Sequence, residues 1–230
     1  MFSTVQDAFF DAADRYDFER RTLVPCFDGL FGSLIECLGL NTQGDLKILD
    51  IGAGTGLLSG MISCVYPSAE ICLIDPSRDR LEEAQRRFKR MMRPLPTVVA
   101  GDFSNINRGC PFNAVISSFA IHRLTDEEKQ VLFLAIAKAL KPGGQFAYAD
   151  PVLGATQDLE QLYGIWWERE ARSQGANDKM IAEAREIMRN DQRSTIEAQL
   201  KMLEKAGLVD VECAFHDHRF ALITGVAPLN

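Results

Sequence analysis

Short apolar runs that end on acids or glycines alternate along the chain with longer stretches whose apolar residues recur at helical spacing. Lys47-Ile48-Leu49-Asp50-Ile51, Glu70 to Asp75, Thr97 to Ala100, Asn113 to Ser118 and Gln145 to Asp150 read as five buried strands. Helices are predicted over residues 57–65, closed by Pro67, and over Arg80 to Arg93, with Ser77 as cap. Thr125-Asp126-Glu127-Glu128 opens a further helix as a capping box, and that helix is expected to run to Lys141, where Pro142-Gly143-Gly144 makes a turn. Strands alternating with helices predict an α/β fold, a doubly wound parallel sheet with right-handed crossovers.

Both ends depart from this rhythm. Residues 5–19 and 21–39 read as two helices, and Asn41 to Asp45 breaks them from the first strand. After Pro151, helices are expected over 157–174, 178–190 and 194–206, the last ending at Gly207. Val209 to Phe215 and Arg219 to Val226 then close the chain as strands around a polar tip, His216-Asp217-His218. One domain over 1–230 is expected: a helical lid (1–44), a cofactor-binding core (45–150), a helical insertion (151–193) and closing elements (194–230).

The first strand runs into Gly52-Ala53-Gly54-Thr55-Gly56. A loop so rich in glycine lets backbone approach a ligand closely, and it aims the next helix's N-terminus at anything anionic. Nicotinamide-binding loops space their glycines as Gly-x-Gly-x-x-Gly. Here the third glycine is Gly56 and Leu57 holds the nicotinamide-type position. An acid near the end of the second strand is expected to hold ribose hydroxyls, and Asp75 stands there, followed by Pro76. Asp50, Asp102 and Ser118 also fall at strand ends, where open parallel sheets bind ligands. Asp50 is placed to fix loop amides or to accept from a ligand's ammonium.

These stretches resemble the class I S-adenosylmethionine-dependent methyltransferases over nearly the whole chain. Leu49 to Gly56 is similar to their first motif, Asp75-Pro76 to their ribose-binding acid and Gly101-Asp102-Phe103 to their adenine-contacting motif. Phe112 to Leu124 is similar to their fourth motif, and Leu140 to Gly144 to the turn before strand five. The resemblance implies a Rossmann-like seven-stranded sheet whose last strand is antiparallel, and S-adenosyl-L-methionine as cofactor. Tyr16-Asp17-Phe18-Glu19-Arg20-Arg21 looks like the lid helix of a small-molecule subgroup, which implies Tyr16 and Arg21 over the methionine carboxylate. The expected cofactor contacts are thus Tyr16, Arg21, Asp50, Gly52, Ala53, Gly54, Gly56, Asp75, Pro76, Asp102, Phe103 and Ser118. The outline is also similar to the carboxy-S-adenosylmethionine synthases. Met202 stands where those enzymes hold the extra carboxylate with an arginine, so methyl transfer to O or N is expected, with a cofactor-binding regulatory or cofactor-modifying protein as the alternative.

Methyl transfer chiefly demands alignment of an acceptor lone pair. Where the acceptor carries a proton, His122, just past strand four, is the candidate base. Phe9, Phe10, Phe119, Tyr148, Tyr163, Trp166 and Trp167 are candidates to line the acceptor pocket. Trp166 and Trp167 point to different faces of a helix, leaving one indole for a lid or an interface, with a homodimer as the candidate assembly.

The totals narrow the partners. A formal net charge of -7 argues against nucleic acid, whose phosphates recruit basic patches. Arg86-Arg87-Phe88-Lys89-Arg90 is read as a solvated helix face. Six scattered cysteines offer neither a zinc spacing nor a disulfide framework, and Cys64 and Cys72 are taken as small hydrophobes. His216 and His218 are too few for a closed metal site, so no metal is expected. No apolar run suits a membrane span and no signal peptide is apparent, so the expected location is cytoplasmic.

Overall fold

The computed structural model describes residues 12–40, 45–102, 106 and 111–229, with side chains in the first helix from residue 18 onward. Among the described residues two helices come first, α1 (Ala12–Leu23) and α2 (Phe27–Cys37). The core then alternates: β1 (Lys47–Ile51), α3 (Leu57–Val65), β2 (Glu70–Asp75), α4 (Arg78–Arg90), β3 (Thr97–Ala100), β4 (Phe112–Ser118), α5 (Asp126–Ala139) and β5 (Leu140–Pro151). The insertion is α6 (Gln157–Ser173) and α7 (Asp178–Met188), followed by α8 (Ile196–Lys205), β6 (Val209–Asp217) and β7 (Phe220–Val226).

The seven strands form one sheet in the order β3-β2-β1-β4-β5-β7-β6. Pairs from β3 through β5 are parallel, and β7 runs antiparallel to both neighbours. This is the Rossmann-like doubly wound sheet expected from the sequence. Its order reverses between β1 and β4, which opens a crevice over their carboxyl ends. Because β7 is antiparallel, its start at Phe220 lies beside Pro151, at that same edge of the sheet.

Local chemistry sets the element ends. Ser77 accepts from the Arg80 amide, and Thr125 and Glu128 form the reciprocal capping box. The expected turn at Pro142 is a correction. α5 stops at Ala139, β5 begins at Leu140, and Lys141 to Gly144 are absorbed as a register irregularity opposite Phe112–Ala114. Proline lacks an amide for the ladder, so the strand bulges there rather than breaking. The basic stretch of α4 is also not wholly solvated: Arg87 is buried, and its Nε donates to the Thr55 carbonyl at 2.9 Å. Cys64 is exposed, against expectation.

Two apolar layers sandwich the sheet. One gathers α2, α3, α4 and the insertion around Phe31, Leu34, Phe88 and Trp167; the other packs α5 and α8 against Phe133, Phe146 and Tyr148. Trp167 clasps the N-terminal helices, its Nε1 donating to the Leu23 carbonyl at 2.8 Å. Among the described residues no helix is long and apolar enough to cross a membrane.

Candidate functional site

The glycine loop leaves β1 at the switch point and is held by its own amides. Gly52 and Ala53 donate to the Ile74 carbonyl at 2.8 and 3.0 Å, and Gly56 donates to the Ala53 carbonyl. Gly54 donates to Asp75 Oδ2 at 2.9 Å, while Oδ1 of the same carboxylate accepts from the Ser77 amide. Asp75 therefore spans the loop and the cap of α4. From the far side Arg87 fastens Thr55, so the loop is fixed before any ligand arrives.

Asp50 is buried beneath the loop. It does not fix loop amides as expected; its Oδ2 accepts from Ser59 Oγ at 2.5 Å, and Oδ1 has no hydrogen-bond partner. Burial raises its carboxyl to about 7; the Ser59 hydroxyl pulls the other way, and the nearby Asp75 charge pushes it up further. A buried orphan oxygen beside a second carboxylate suits a cationic group. Those features, with open space beside Gly54, fit S-adenosylmethionine, which carries an ammonium and a sulfonium.

A cavity of about 400 Å³ opens over this edge, lined near the loop by Gly52, Asp75, Pro76 and Arg80. Its other walls include Arg20, Leu23 and Val24 of the N-terminal helix and the residues after it, Phe119, His122 and Arg123 after β4, and Ile187, Met188, Asp191, Arg219 and Phe220. A smaller recess of about 40 Å³ joins Gly52, Ala53, Gly54 and Thr55 to Arg20, Arg80, Ser118 and Phe119. Phe119 holds φ of +54°, a conformation costly for a bulky side chain and most often met at functional sites. Its ring lies under the Arg20 guanidinium at 4.4 Å and 6.0 Å from the ring of Phe220.

Two expectations need correction. Arg21 does not face this cavity: it pairs with Asp28 and stacks on Phe27 at 4.4 Å, on another surface. Adjacent helical residues point about 100° apart, and it is Arg20 that turns inward. His122 lines the cavity, but both of its ring nitrogens are engaged, Nδ1 with Asp150 at 2.8 Å and Nε2 with Asp191 at 3.4 Å. Burial works to lower its pKa, yet the Asp150 and Asp191 carboxylates outweigh it and hold the imidazole up at about 9. Near neutral pH the ring is an imidazolium and cannot accept a proton, so it is ill suited to be a general base. It anchors instead: its backbone carbonyl receives the Gln192 amide at 2.7 Å, fixing the segment after α7 over the short helix Ile121–Arg123. Buried Lys129 completes that anchor by bonding Gln192 and Ser194.

Gly52, Ala53, Gly54, Asp75, Pro76, Ser118 and His122 all gather at the cavity or its recess. Gly56 does not line it but packs against α4. Asp102 lies on the exposed surface, and Phe103, Phe9, Phe10 and the Tyr16 side chain fall outside the described residues. Of the other proposed pocket aromatics only Phe119 lines the cavity. Tyr148 is buried, bonding Gln199 at 2.8 Å, and Trp166 stacks on His218 at 4.0 Å with Tyr163 edge-on. Arg20, Arg219 and Asp191 were missed because no local motif marks them. No cluster of metal-ligating side chains occurs among the described residues.

Residues 48–144 match a family model described as a methyltransferase domain. An uncharacterized methyltransferase of Oceanobacillus iheyensis is 28% identical over 136 residues, which is 59% of this chain and 57% of the relative. One of Bacillus cereus is 28% identical over 49% of this chain and 50% of its own length. The chain thus matches little more than half the length of these curated relatives. Among solved structures, human N-acetylserotonin methyltransferase in complex with its cofactor superposes with TM-score 0.61 at 19% identity, over 95% of this chain and 57% of that one. A cyclopropane synthase from Mycobacterium tuberculosis gives 0.58 at 21% identity, over 81% and 61%. At these identities the likeness is one of fold.

Proposed function

We propose that the protein moves a methyl group from S-adenosylmethionine to an oxygen or nitrogen of a small-molecule acceptor; residues 48–144 match the methyltransferase-domain model, and the seven-stranded sheet has the Rossmann-like order β3-β2-β1-β4-β5-β7-β6. The observation that carries this reading is the meeting, at one edge of the sheet, of the glycine loop, two carboxylates and a cavity large enough for a second small molecule. The bound cofactor would supply an electrophilic methyl group.

The chain's own residues would do the holding. Asp75, which lines the cavity, would take ribose hydroxyls, Arg20 would meet the carboxylate, and the unpartnered Oδ1 of Asp50 beneath the loop would face the ammonium. Leu23, Phe119, Ile187, Met188 and Phe220 give the cavity an apolar lining that would exclude water and position an acceptor. Positioning of this kind supplies up to about 7–11 kcal/mol of a barrier. An acceptor that arrives as an oxyanion needs no base, and a free amine attacks through its lone pair and gives up its proton to water afterwards. The net negative charge supports a small molecule over nucleic acid, and a homodimer is the proposed assembly.

Isothermal titration with adenosylhomocysteine should show saturable binding, and Asp75→Ala should weaken it by about 1–3 kcal/mol, the loss expected of buried polar contacts. Unchanged affinity in the variant would remove Asp75 from the cofactor site. Transfer of a radiolabelled methyl group across an acceptor panel tests the reaction itself. Binding without any transfer would leave a cofactor-binding module in its place.

A further inference from the structure

Arg219 directly precedes β7, at the sheet edge that the glycine loop also occupies, three strands further along in the order β1-β4-β5-β7. Its side chain is only 7% exposed, yet it lines the cavity. A guanidinium brings five N–H donors in a planar fork, and a buried one is ordinarily spent on carboxylates or carbonyls. This one is not. Nη1 reaches only the thioether of Met188 at 3.5 Å, and Nη2 stands 3.7 Å from Glu160, beyond hydrogen-bond range. Nε has no hydrogen-bond partner among the described residues. The Trp167 ring lies 5.3 Å away, and the charges of Arg193 and Asp191 also act on the group, without a hydrogen bond to Nε.

Nor is Glu160 reserved for it. That carboxylate sits 2.7 Å from Arg193 and accepts from the Gly154 amide at 2.9 Å, so its closer partners are elsewhere. Nε–H and one Nη2–H form the side-on edge of a guanidinium, spaced to receive both oxygens of one carboxylate. Here that edge is buried and makes no hydrogen bond. The cavity wall agrees in sign: Arg20, Arg80, His122, Arg123 and Arg219 against Glu19, Asp75 and Asp191, within a chain of net charge -7.

We propose that Arg219 is the acceptor's anchor, and that the acceptor is a small carboxylate whose apolar body lies against Ile187, Met188 and Phe220. The assignment rests on the methyltransferase reading and adds to it the class of molecule that is methylated. The loop holds one end of the cavity and Arg219 stands at the other, so a carboxylate bound there leaves the rest of the acceptor to extend toward β4 and the reacting end. Burial of the guanidinium leaves a weak competitor in water and a large gain when an anion pairs with it.

The test uses the full chain saturated with adenosylhomocysteine, titrated calorimetrically with phenylacetate and hexanoate and, as neutral counterparts, phenylacetamide and hexanamide. Saturable binding of the carboxylates is expected, at least tenfold tighter than the amides. Arg219→Met should abolish that preference while leaving adenosylhomocysteine affinity within twofold, and Arg219→Lys should restore only part of it, since an ammonium lacks the fork. Glu160 keeps Arg193 in either variant, so the surroundings stay charge-paired. Equal binding of acids and amides, no binding of the acids, or a preference that survives Arg219→Met would overturn the proposal while adenosylhomocysteine still binds. Failure of adenosylhomocysteine itself to bind the wild type would instead remove the methyltransferase reading beneath it.

Discussion

Replacing His122 with glutamine should lower the unfolding free energy by about 3–5 kcal/mol at pH 6, the loss met when a buried ion pair is broken from one side. The variant leaves Asp150 and Asp191 facing a neutral side chain in a site where the imidazole is 7% exposed. The difference between wild type and variant should also depend on pH, in a direction fixed by the ring's folded and unfolded affinities for a proton. Folding raises the His122 pKa from 6.5 to about 9. A raised cationic group contributes its stability in full below the unfolded value and loses it as pH climbs through the folded value. The wild-type advantage should therefore be complete below about pH 6.5 and shrink by ~3 kcal/mol by the time pH passes 9. Asp50 also titrates, near 7, but it is common to both proteins and cancels in the difference. Chemical denaturation of the pair at pH 6 and pH 9.5 measures it. A gap that stays constant, or widens with pH, would mean that His122 is neutral in the folded protein and would return it to candidacy as a base.

How much of this site was legible beforehand divides along the range of the interactions. Gly52 to Gly56, Asp75 and Ser118 are set by strand ends, and strand ends are written in local hydrophobic pattern and turn chemistry. The parallel core of the sheet followed from alternation, and the antiparallel last strand from the family resemblance. What failed were orientations about a helix axis and partners distant in sequence. Arg20 and Arg21 are neighbours, and only the packing of α1 decides which of them faces the cavity; it is Arg20. The state of His122 depends on Asp150, 28 residues on, and on Asp191 beyond the insertion helices. No spacing rule connects these three residues, so an isolated histidine near a cofactor loop read as a base. Arg87 is hidden differently: its basic neighbours suggest a solvated face, and the docking of α4 against the loop buries it. Trp167, expected near an acceptor, is core for the same reason: α6 packs it onto α1.

Gly56 is where loop, sheet and helix constrain one another tightly, and alanine there should destabilise the fold by about 2–5 kcal/mol. Two independent costs combine. The backbone holds φ of +70°, a left-handed conformation that costs an L side chain roughly 1–2 kcal/mol. An added Cβ would also stand 2.8 Å from the Ala84 Cβ and 3.3 Å from its Cα, and backbone of a docked helix cannot swing aside as a flexible side chain would. Overpacking of this kind adds about 1–3 kcal/mol. The relief available is a shift of α4 away from α3, and that shift would draw Arg87 off the Thr55 carbonyl and Ser77 off Asp75. Stability and cofactor affinity should therefore fall together in Gly56→Ala, although Gly56 lines neither cavity nor recess. Gly54→Ala separates the two effects: its φ of +54° strains the backbone, but nothing lies within 4 Å of the added methyl group. Thermal denaturation with adenosylhomocysteine titration on both variants is the measurement. Equal destabilisation by the two would show that backbone strain alone sets the third glycine, and that its contact with Ala84 contributes nothing.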